Sequence, residues 1–196
     1  MRLEDALLYL ILEKEPSGGA GAFCEAAIAG GVDVIHLGRG MVGAAAAVRE
    51  VCCRNDALFI VSDDPAVAVA NKADGTHISD ASEPVGQYRA IMGDQGLVGV
   101  STHSRNDALL ALEMGVDYLL HWEGAACGAA FATLPGAAGN ALFAAGLAGL
   151  DDARAVVDSG IYRLCIDAAA LEGDDVTARA AAYSRILGRS IKKMKE

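Results

Sequence analysis

The residues of this chain that are best suited to proton transfer are its four histidines. Histidine has an ordinary pKa close to neutral pH, so it serves readily as a general acid or base. His36, His77, His103 and His121 each lie in, or directly after, a short apolar run of the kind that forms a buried β-strand. Because the carboxyl ends of alternating strands meet on one face, we expect these side chains around one site.

A histidine in an apolar strand has a second interpretation, that of an inert core residue whose ring is hydrogen-bonded. This interpretation is favoured for His77, which adjoins Gly75 and Ile78. For the set of four the clustering at strand ends favours chemistry, although it singles out no member of the set.

The densest acidic cluster at a strand end is Ser62-Asp63-Asp64-Pro65. Paired carboxylates beside a hydroxyl can hold Mg²⁺, which prefers oxygen ligands. Alternatively, Asp64 is the N-cap of a helix that begins at Pro65. Both hold if Asp63 faces the site while Asp64 caps the helix.

Two further segments have features of a phosphate site. Gly99-Val100-Ser101-Thr102-His103-Ser104 combines a glycine, hydroxyls and a histidine ahead of a capped helix, and can offer hydroxyl and backbone N–H groups to an anion. Gly146 follows the seventh strand-like run, where barrel phosphate sites are often found. Asp167, after the eighth run, would repel phosphate.

The elements that must position these residues alternate along the whole chain. Eight strand-like runs, separated by segments with helical periodicity, are Leu8–Leu12, Val32–Leu37, Leu58–Ser62, Gly75–Ile78, Leu97–Ser101, Tyr118–His121, Ala141–Ala145 and Tyr162–Asp167. They predict an α/β fold, a single small (β/α)8 TIM barrel over residues 1–196, with an open doubly wound sheet as the alternative. Ser104 with Asp107 predicts a helix start. Residues 123–140 show no clear period.

Charge and length exclude several classes of protein. The formal net charge is −10, which is unfavourable for binding nucleic acid. No signal peptide and no apolar run long enough to cross a membrane is visible, so we expect a cytoplasmic protein without membrane partners. The sequence leaves a homo-oligomer open.

Several motifs resemble the thiamine-phosphate synthase/TenI family along nearly the whole chain. Ala73–Ile78 parallels the family's Ala-Asp-Gly-Val-His-Leu, Gly99–Ser104 is similar to its Gly-x-Ser-x-His-Ser, and Gly115–Tyr118 to its Gly-Ala-Asp-Tyr. Members are small barrels that join a pyrimidine diphosphate to a thiazole phosphate, or tautomerise the thiazole. The resemblance implies a small phosphorylated ligand of thiamine biosynthesis.

The resemblance also implies site residues. Asp63 matches a metal-binding aspartate of the family, and Asp80 lies near the second, whose own position is Ser82, so Mg²⁺ is the implied cofactor. The implied ligand-binding and phosphate-binding positions are Ser62, Ser101, His103, Gly146 and Ala168. Ser62 stands in place of an asparagine, and Ala168 in place of a hydroxyl residue.

The departures from the family concentrate on the diphosphate site. Gly38 and Gly40 stand in place of an arginine and a lysine that grip diphosphate, and His36 replaces a glutamine. The tautomerase branch needs only a proton shuttle and a phosphate clamp, and can carry a histidine where His36 lies. Its second histidine aligns with Glu123, two positions after His121.

The resemblance thus predicts His36, His121 and Glu123 as catalytic residues of a divergent synthase or a thiazole tautomerase whose diphosphate and Mg²⁺ sites are degraded. The alternative is a non-catalytic or repurposed family member that binds another small ligand or a partner protein.

Overall fold

The computed structural model shows eight parallel strands in a closed barrel, each paired with the next and β8 paired back to β1. It describes residues 1–131, 134 and 141–194, of which 129, 130 and 189–194 are described for the backbone alone. The strands are β1 (Leu8–Leu12), β2 (Val34–Leu37), β3 (Leu58–Ser62), β4 (Gly75–Ile78), β5 (Leu97–Thr102), β6 (Tyr118–Trp122), β7 (Ala141–Ala145) and β8 (Leu164–Asp167). The helices are α1 (Ala20–Ala29), α2 (Ala45–Arg54), α3 (Pro65–Ala70), α4 (Val85–Met92), α5 (Arg105–Glu113), α6 (Cys127–Phe131), α7 (Leu150–Asp158) and α8 (Val176–Met194). Short 3-10 turns are Leu3–Asp5, Arg39–Ala44, Gly124–Ala126 and Ala168–Ala170.

The predicted (β/α)8 barrel is confirmed, and the alternative of an open sheet is wrong because the pairing of β8 with β1 closes the ring. Two strands begin later than predicted. β2 begins at Val34, and the carboxylate of the preceding residue, Asp33, accepts the backbone N–H groups of Leu7 and Leu8. Ahead of β8, the Arg163 guanidinium donates to the carbonyl oxygens of Ala6 and Glu4.

Side chains alternate between two apolar layers along each strand, as the pleat requires. The barrel interior holds Tyr9, Ile11, Val34, Leu58, Ile60, Tyr118, Leu120, Phe143 and Cys165. The layer between strands and helices includes Leu10, Ile35, Phe59, Val61, Leu119, Val48, Val51, Cys52, Ala180, Tyr183 and Leu187. A strand position therefore decides whether a residue faces the barrel axis or the helices.

Two predicted helix starts are confirmed. Ser104 caps α5 by accepting the backbone N–H of Asp107, and Asp64 caps α3 by accepting that of Val67. In residues 123–140, which lacked a clear period, the chain forms the turn Gly124–Ala126 and then α6. Residues 132, 133 and 135–140 of that segment lie outside the described part. Across the described residues, no helix combines the length and the apolar character that a membrane span requires.

Candidate active site at the carboxyl end of the barrel

The carboxyl ends of the strands surround a mouth whose floor is formed by inward-facing polar side chains. His36 and His77 lie inside the barrel with their ring centroids 4.9 Å apart, and His36 makes an edge contact with Tyr9. Ser62 and Ser101 lie beside them, and all four polar side chains are buried. A buried polar group must be hydrogen-bonded to be tolerated, so the partners of these groups define the site.

His36 is paired on one side of its ring only. Its Nε2 lies 2.6 Å from the Ser62 hydroxyl, whereas its Nδ1 has no hydrogen-bond partner among the described residues. Burial and the neighbouring His77 hold the pKa of His36 well below its ordinary value, although Asp63 acts in the opposite direction. His36 is consequently a neutral imidazole near neutral pH, with Nε2 in contact with the Ser62 hydroxyl.

His77 is the centre of a buried chain of hydrogen bonds. Its Nε2 lies 2.9 Å from the Ser101 hydroxyl, and its Nδ1 lies 3.3 Å from the Tyr118 hydroxyl. The Tyr118 hydroxyl in turn lies 3.1 Å from that of Tyr9, and Trp122 Nε1 donates to Ser101 Oγ at 3.0 Å. Burial lowers the pKa of His77 to about 3, so its ring is neutral and carries one N–H.

The direction of this chain follows from counting protons. When the His77 proton is on Nε2, Ser101 Oγ accepts from both His77 and Trp122, and Tyr9 donates to Tyr118, which donates to His77 Nδ1. The proton of Ser101 is then free to donate towards the mouth. This arrangement satisfies every buried member and offers one hydrogen-bond donor to a ligand.

Asp63 is held on both of its carboxylate oxygens. Oδ1 accepts the Ser79 backbone N–H at 2.7 Å, while Oδ2 accepts the Ser79 hydroxyl at 2.8 Å and Arg39 Nε at 2.8 Å. Burial raises the pKa of Asp63, but the bonds from Arg39 and Ser79 outweigh it and bring this pKa below its ordinary value. Asp63 is a buried carboxylate whose partner is a guanidinium.

The metal site that the resemblance implies does not fit this arrangement. A Mg²⁺ ion would need Asp63 oxygens that already accept three hydrogen bonds, and it would lie beside a second cation, Arg39. Asp80 is exposed, and its carboxylate caps its own loop by accepting the Ser82 N–H. Within the described part of the chain, no group of three or more His, Cys, Asp or Glu residues could hold a metal ion.

Two more carboxylates line the rim on the side of β1 and β8. Burial, Asp167 and Asp63 raise the pKa of Glu13, and burial raises the pKa of Asp167. Glu13 approaches Gly38 so closely that a Cβ at Gly38 would collide with its carboxylate. These two acids disfavour a phosphate group at the part of the rim formed by β1 and β8.

The remaining predicted ligand residues lie around the rim. His103 is exposed and stacks on Trp122 with the ring planes 20° apart. It also borders a cavity of about 570 Å³ between the loops after β4 and β5. Gly146 is exposed with a φ of 75°, a conformation that glycine adopts without strain. Ala168 is half-buried in the turn after β8.

The expected grouping of His121 with the other histidines is corrected by the alternation of β6. Tyr118, Leu120 and Trp122 face the barrel interior, so His121 faces the helices. There its Nδ1 lies 2.9 Å from the Thr102 hydroxyl, and its ring contacts Phe131.

Glu123, the third predicted catalytic residue, lies on the same outer side as His121. Its Oε2 is 3.3 Å from His121 Nε2, in an orientation that forms no hydrogen bond among the described residues. The structure therefore does not bring His121 and Glu123 together with His36.

Sequence reasoning missed Trp122 and Tyr118 as members of the site. The signal for Trp122 and Tyr118 was present, because both differ by an even number of positions from the inward-facing Leu120. Nothing local marks Arg39 as the partner of Asp63, since the two lie 24 positions apart and meet only through the pairing of β2 with β3.

Comparisons with known proteins place this barrel in a family. Residues 8–134 match the family model described as thiamine monophosphate synthase. The thiamine-phosphate synthase of Saccharopolyspora erythraea is 36% identical over an alignment of 219 positions, which covers 95% of each chain. That of Methanoculleus marisnigri is 37% identical over 171 positions, covering 83% of this chain and 77% of its own. The solved thiamine phosphate pyrophosphorylase of Pyrococcus furiosus has the same fold, with a TM-score of 0.83, 22% identity and coverage of 96% and 98%. The chain thus belongs to the thiamine-phosphate synthase family, as its motifs indicated.

Proposed function

We propose that this chain binds a small phosphorylated ligand of thiamine biosynthesis at the mouth of the barrel and moves a proton on it. The observation that carries the proposal is the buried chain of contacts from Tyr9 through Tyr118 and His77 to Ser101. With the His77 proton assigned to Nε2, this chain leaves one hydroxyl donor for an anion. Such a preorganised donor costs little reorganisation when the ligand binds. Relatives named thiamine-phosphate synthase support the class of ligand.

The ligand's phosphate is proposed to lie on the side of Ser101 and Gly146. Ser101 donates its hydroxyl proton, and the absence of a side chain at Gly146 lets the backbone approach. The acids Glu13 and Asp167 disfavour a phosphate group at the part of the rim formed by β1 and β8. The ring of the ligand then faces the floor of the mouth, where Ser62 and His36 lie.

Proton transfer is assigned to the pair of His36 and Ser62. The neutral His36 accepts the proton that Ser62 passes on from the ligand, and the same proton returns through Ser62 to a second atom of the ligand. No proton is gained or lost overall, as a tautomerisation requires. Joining a pyrimidine diphosphate would demand several cations for the leaving diphosphate, and Gly38 and Gly40 remove the two that the resemblance implies at these positions.

Assays of thiazole aromatisation and thiamine phosphate formation, run side by side, test the proposal. We expect aromatisation by the wild-type protein, a loss of about a hundredfold in His36→Gln, and no thiamine phosphate in either. Thr102→Ser, on the helix side of β5, is the matched control and should keep wild-type activity. Efficient formation of thiamine phosphate would overturn the proposal, as would aromatisation that is unchanged in His36→Gln.

A second candidate function is ligand binding without catalysis. It is favoured by the burial of both His36 and Ser62, which leaves a ligand little access to the pair. Binding of thiazole phosphate without aromatisation by the wild-type protein would select this candidate.

A further inference from the structure

The ion pair of Arg39 and Asp63 is unusual because its two members differ so much in exposure. The Asp63 side chain is 4% exposed, whereas that of Arg39 is 73% exposed. The pair is also joined through Nε at 2.8 Å rather than through the end of the guanidinium. The carboxylate therefore fixes the base of the guanidinium and leaves its tip towards solvent.

The tip of Arg39 has unused hydrogen-bonding capacity. Guanidinium carries five N–H donors, and Nη1 and Nη2 hold four of them. Neither Nη atom forms a hydrogen bond or ion pair within the described part of the chain. Planar donors of this kind bind phosphate oxygens in pairs, which gives strong and oriented contacts.

The same pair occupies the metal-binding carboxylate. As described above, all the oxygens of Asp63 accept hydrogen bonds from Ser79 or Arg39. Arg39 lies between Gly38 and Gly40, which have no side chains to compete for the space around it. The positive charge of this rim is thus provided by a side chain of the protein.

We propose that Arg39, positioned by Asp63, is an oxyanion-binding residue that stands in the place of a divalent metal, so that the mouth binds phosphate or diphosphate groups without Mg²⁺. Asp63 is then a positioning residue and not a metal ligand. The proposal rests on the proposed function only in placing a ligand at this mouth. Two other acids lie near this rim. The Glu13 carboxylate, which lies against Gly38, carries less negative charge at a given pH than a free glutamate, because burial and two other acids raise its pKa. Glu83 also acts electrostatically on Arg39.

Calorimetric titration of pyrophosphate in the presence of EDTA tests the proposal. We expect wild-type protein to bind, and Arg39→Gln to bind about tenfold more weakly because it loses a charged pair of donors. Arg54→Gln, an exposed arginine of α2 that pairs with Glu25 and Glu50, is the control for the change in net charge and should bind like wild type. Binding that requires added Mg²⁺, equal binding by Arg39→Gln, or no binding by wild type would each overturn the proposal.

The Asp63→Asn variant distinguishes between two roles of Asp63, that of orienting Arg39 and that of a simple negative charge. This substitution makes the rim more positive, so an account based on charge alone expects tighter binding of pyrophosphate. We expect about threefold weaker binding, because Arg39 loses the carboxylate that orients it. Tighter binding would overturn the positioning role.

Titration of the ligand-free protein with Mn²⁺, followed by electron paramagnetic resonance, gives an independent readout. We expect no bound Mn²⁺ in the wild type. If the wild type binds Mn²⁺ and Asp63→Asn does not, the proposal is contradicted. If the wild-type protein fails to aromatise the thiazole but the pyrophosphate results are as expected, only the proposed function is contradicted. If aromatisation is as expected but the pyrophosphate results are not, only this inference is contradicted.

Discussion

At the scale of single residues, the Ser101 hydroxyl is where the buried barrel interior meets the mouth. It accepts Trp122 Nε1 and contacts His77 Nε2, so its orientation is set by two rings and not by its own rotamer preference. His36 differs, because its Nδ1 has no partner among the described residues and is a buried polar atom that a ligand or water could satisfy. In the proposed function, Ser101 anchors the phosphate group and His36 takes part in proton transfer.

Ser101→Ala is expected to weaken the binding of thiazole phosphate by about tenfold or more, because a hydrogen bond to a charged group contributes about 1.5–3 kcal/mol. Titration calorimetry measures the change, and the affinity for the dephosphorylated thiazole should stay within about twofold. An equal loss for both ligands would mean that Ser101 shapes the mouth without binding phosphate.

At the scale of elements, the alternation of each strand decides which predicted residues reach the site. The carboxyl ends of the eight strands were predicted to within one residue, and His36, Ser62, His77 and Ser101 lie at or near these ends. Sequence reasoning placed His121 at the mouth because strand position was considered without the alternation that fixes its face.

Contacts between residues that are far apart in the chain are the second feature that the sequence did not predict. Asp63 was predicted to be a ligand from its local motif, but its partners Arg39 and Ser79 come from the ends of neighbouring strands. Only the pairing of those strands brings them together, and no local pattern encodes it.

At the opposite, amino-terminal end of the barrel, the same hydrogen bond from a backbone N–H to an aspartate recurs in three places. Asp33, Asp74 and Asp117 each precede a strand and accept a backbone N–H from the start of the strand before it. Arg49 and Arg89 support Asp74 and Asp117. These carboxylates are structural, which separates them from Asp63 at the mouth.

Gly99→Ala is expected to lower the free energy of unfolding by about 2 kcal/mol or more, because its Cβ would overlap the Tyr118 ring inside the barrel. Gly86→Ala is the matched control. It is exposed in α4 with open space around its Cβ, so it should raise stability by about 0.5–1 kcal/mol. Urea unfolding measures both, and a Gly99→Ala protein as stable as wild type would contradict the packing described here.

At the scale of the whole molecule, the closed barrel holds two neutral histidines in its interior. Burial lowers the pKa of His77 to about 3, and burial together with His77 lowers that of His36. The closed ring was predictable because eight apolar runs recur along the chain. The protonation states of the two interior histidines were not predictable, because they depend on which side chains meet at the barrel axis.

The stability of the protein is expected to fall as pH decreases below about 6.5, the ordinary pKa of histidine. In that range the unfolded chain binds protons that the native His36 and His77 do not, at up to about 1.4 kcal/mol per pH unit for each. His77→Gln keeps hydrogen-bonding groups for Ser101 and Tyr118 but cannot bind the proton. Its free energy of unfolding, measured in urea, should therefore change with pH less steeply than that of the wild type, by up to about 1.4 kcal/mol per pH unit. The carboxylates with raised pKa act in the opposite direction but are common to both proteins. Parallel slopes would show that His77 is protonated in the native state.

The central claim is that this mouth binds a phosphorylated ligand by its own donors. Titration of thiazole phosphate and of the dephosphorylated thiazole into the wild-type protein in EDTA tests it most directly. We expect the phosphorylated ligand to bind at least about tenfold more tightly without any metal. Equal affinity for the two ligands, or binding of the phosphate only after Mg²⁺ is added, would contradict the claim.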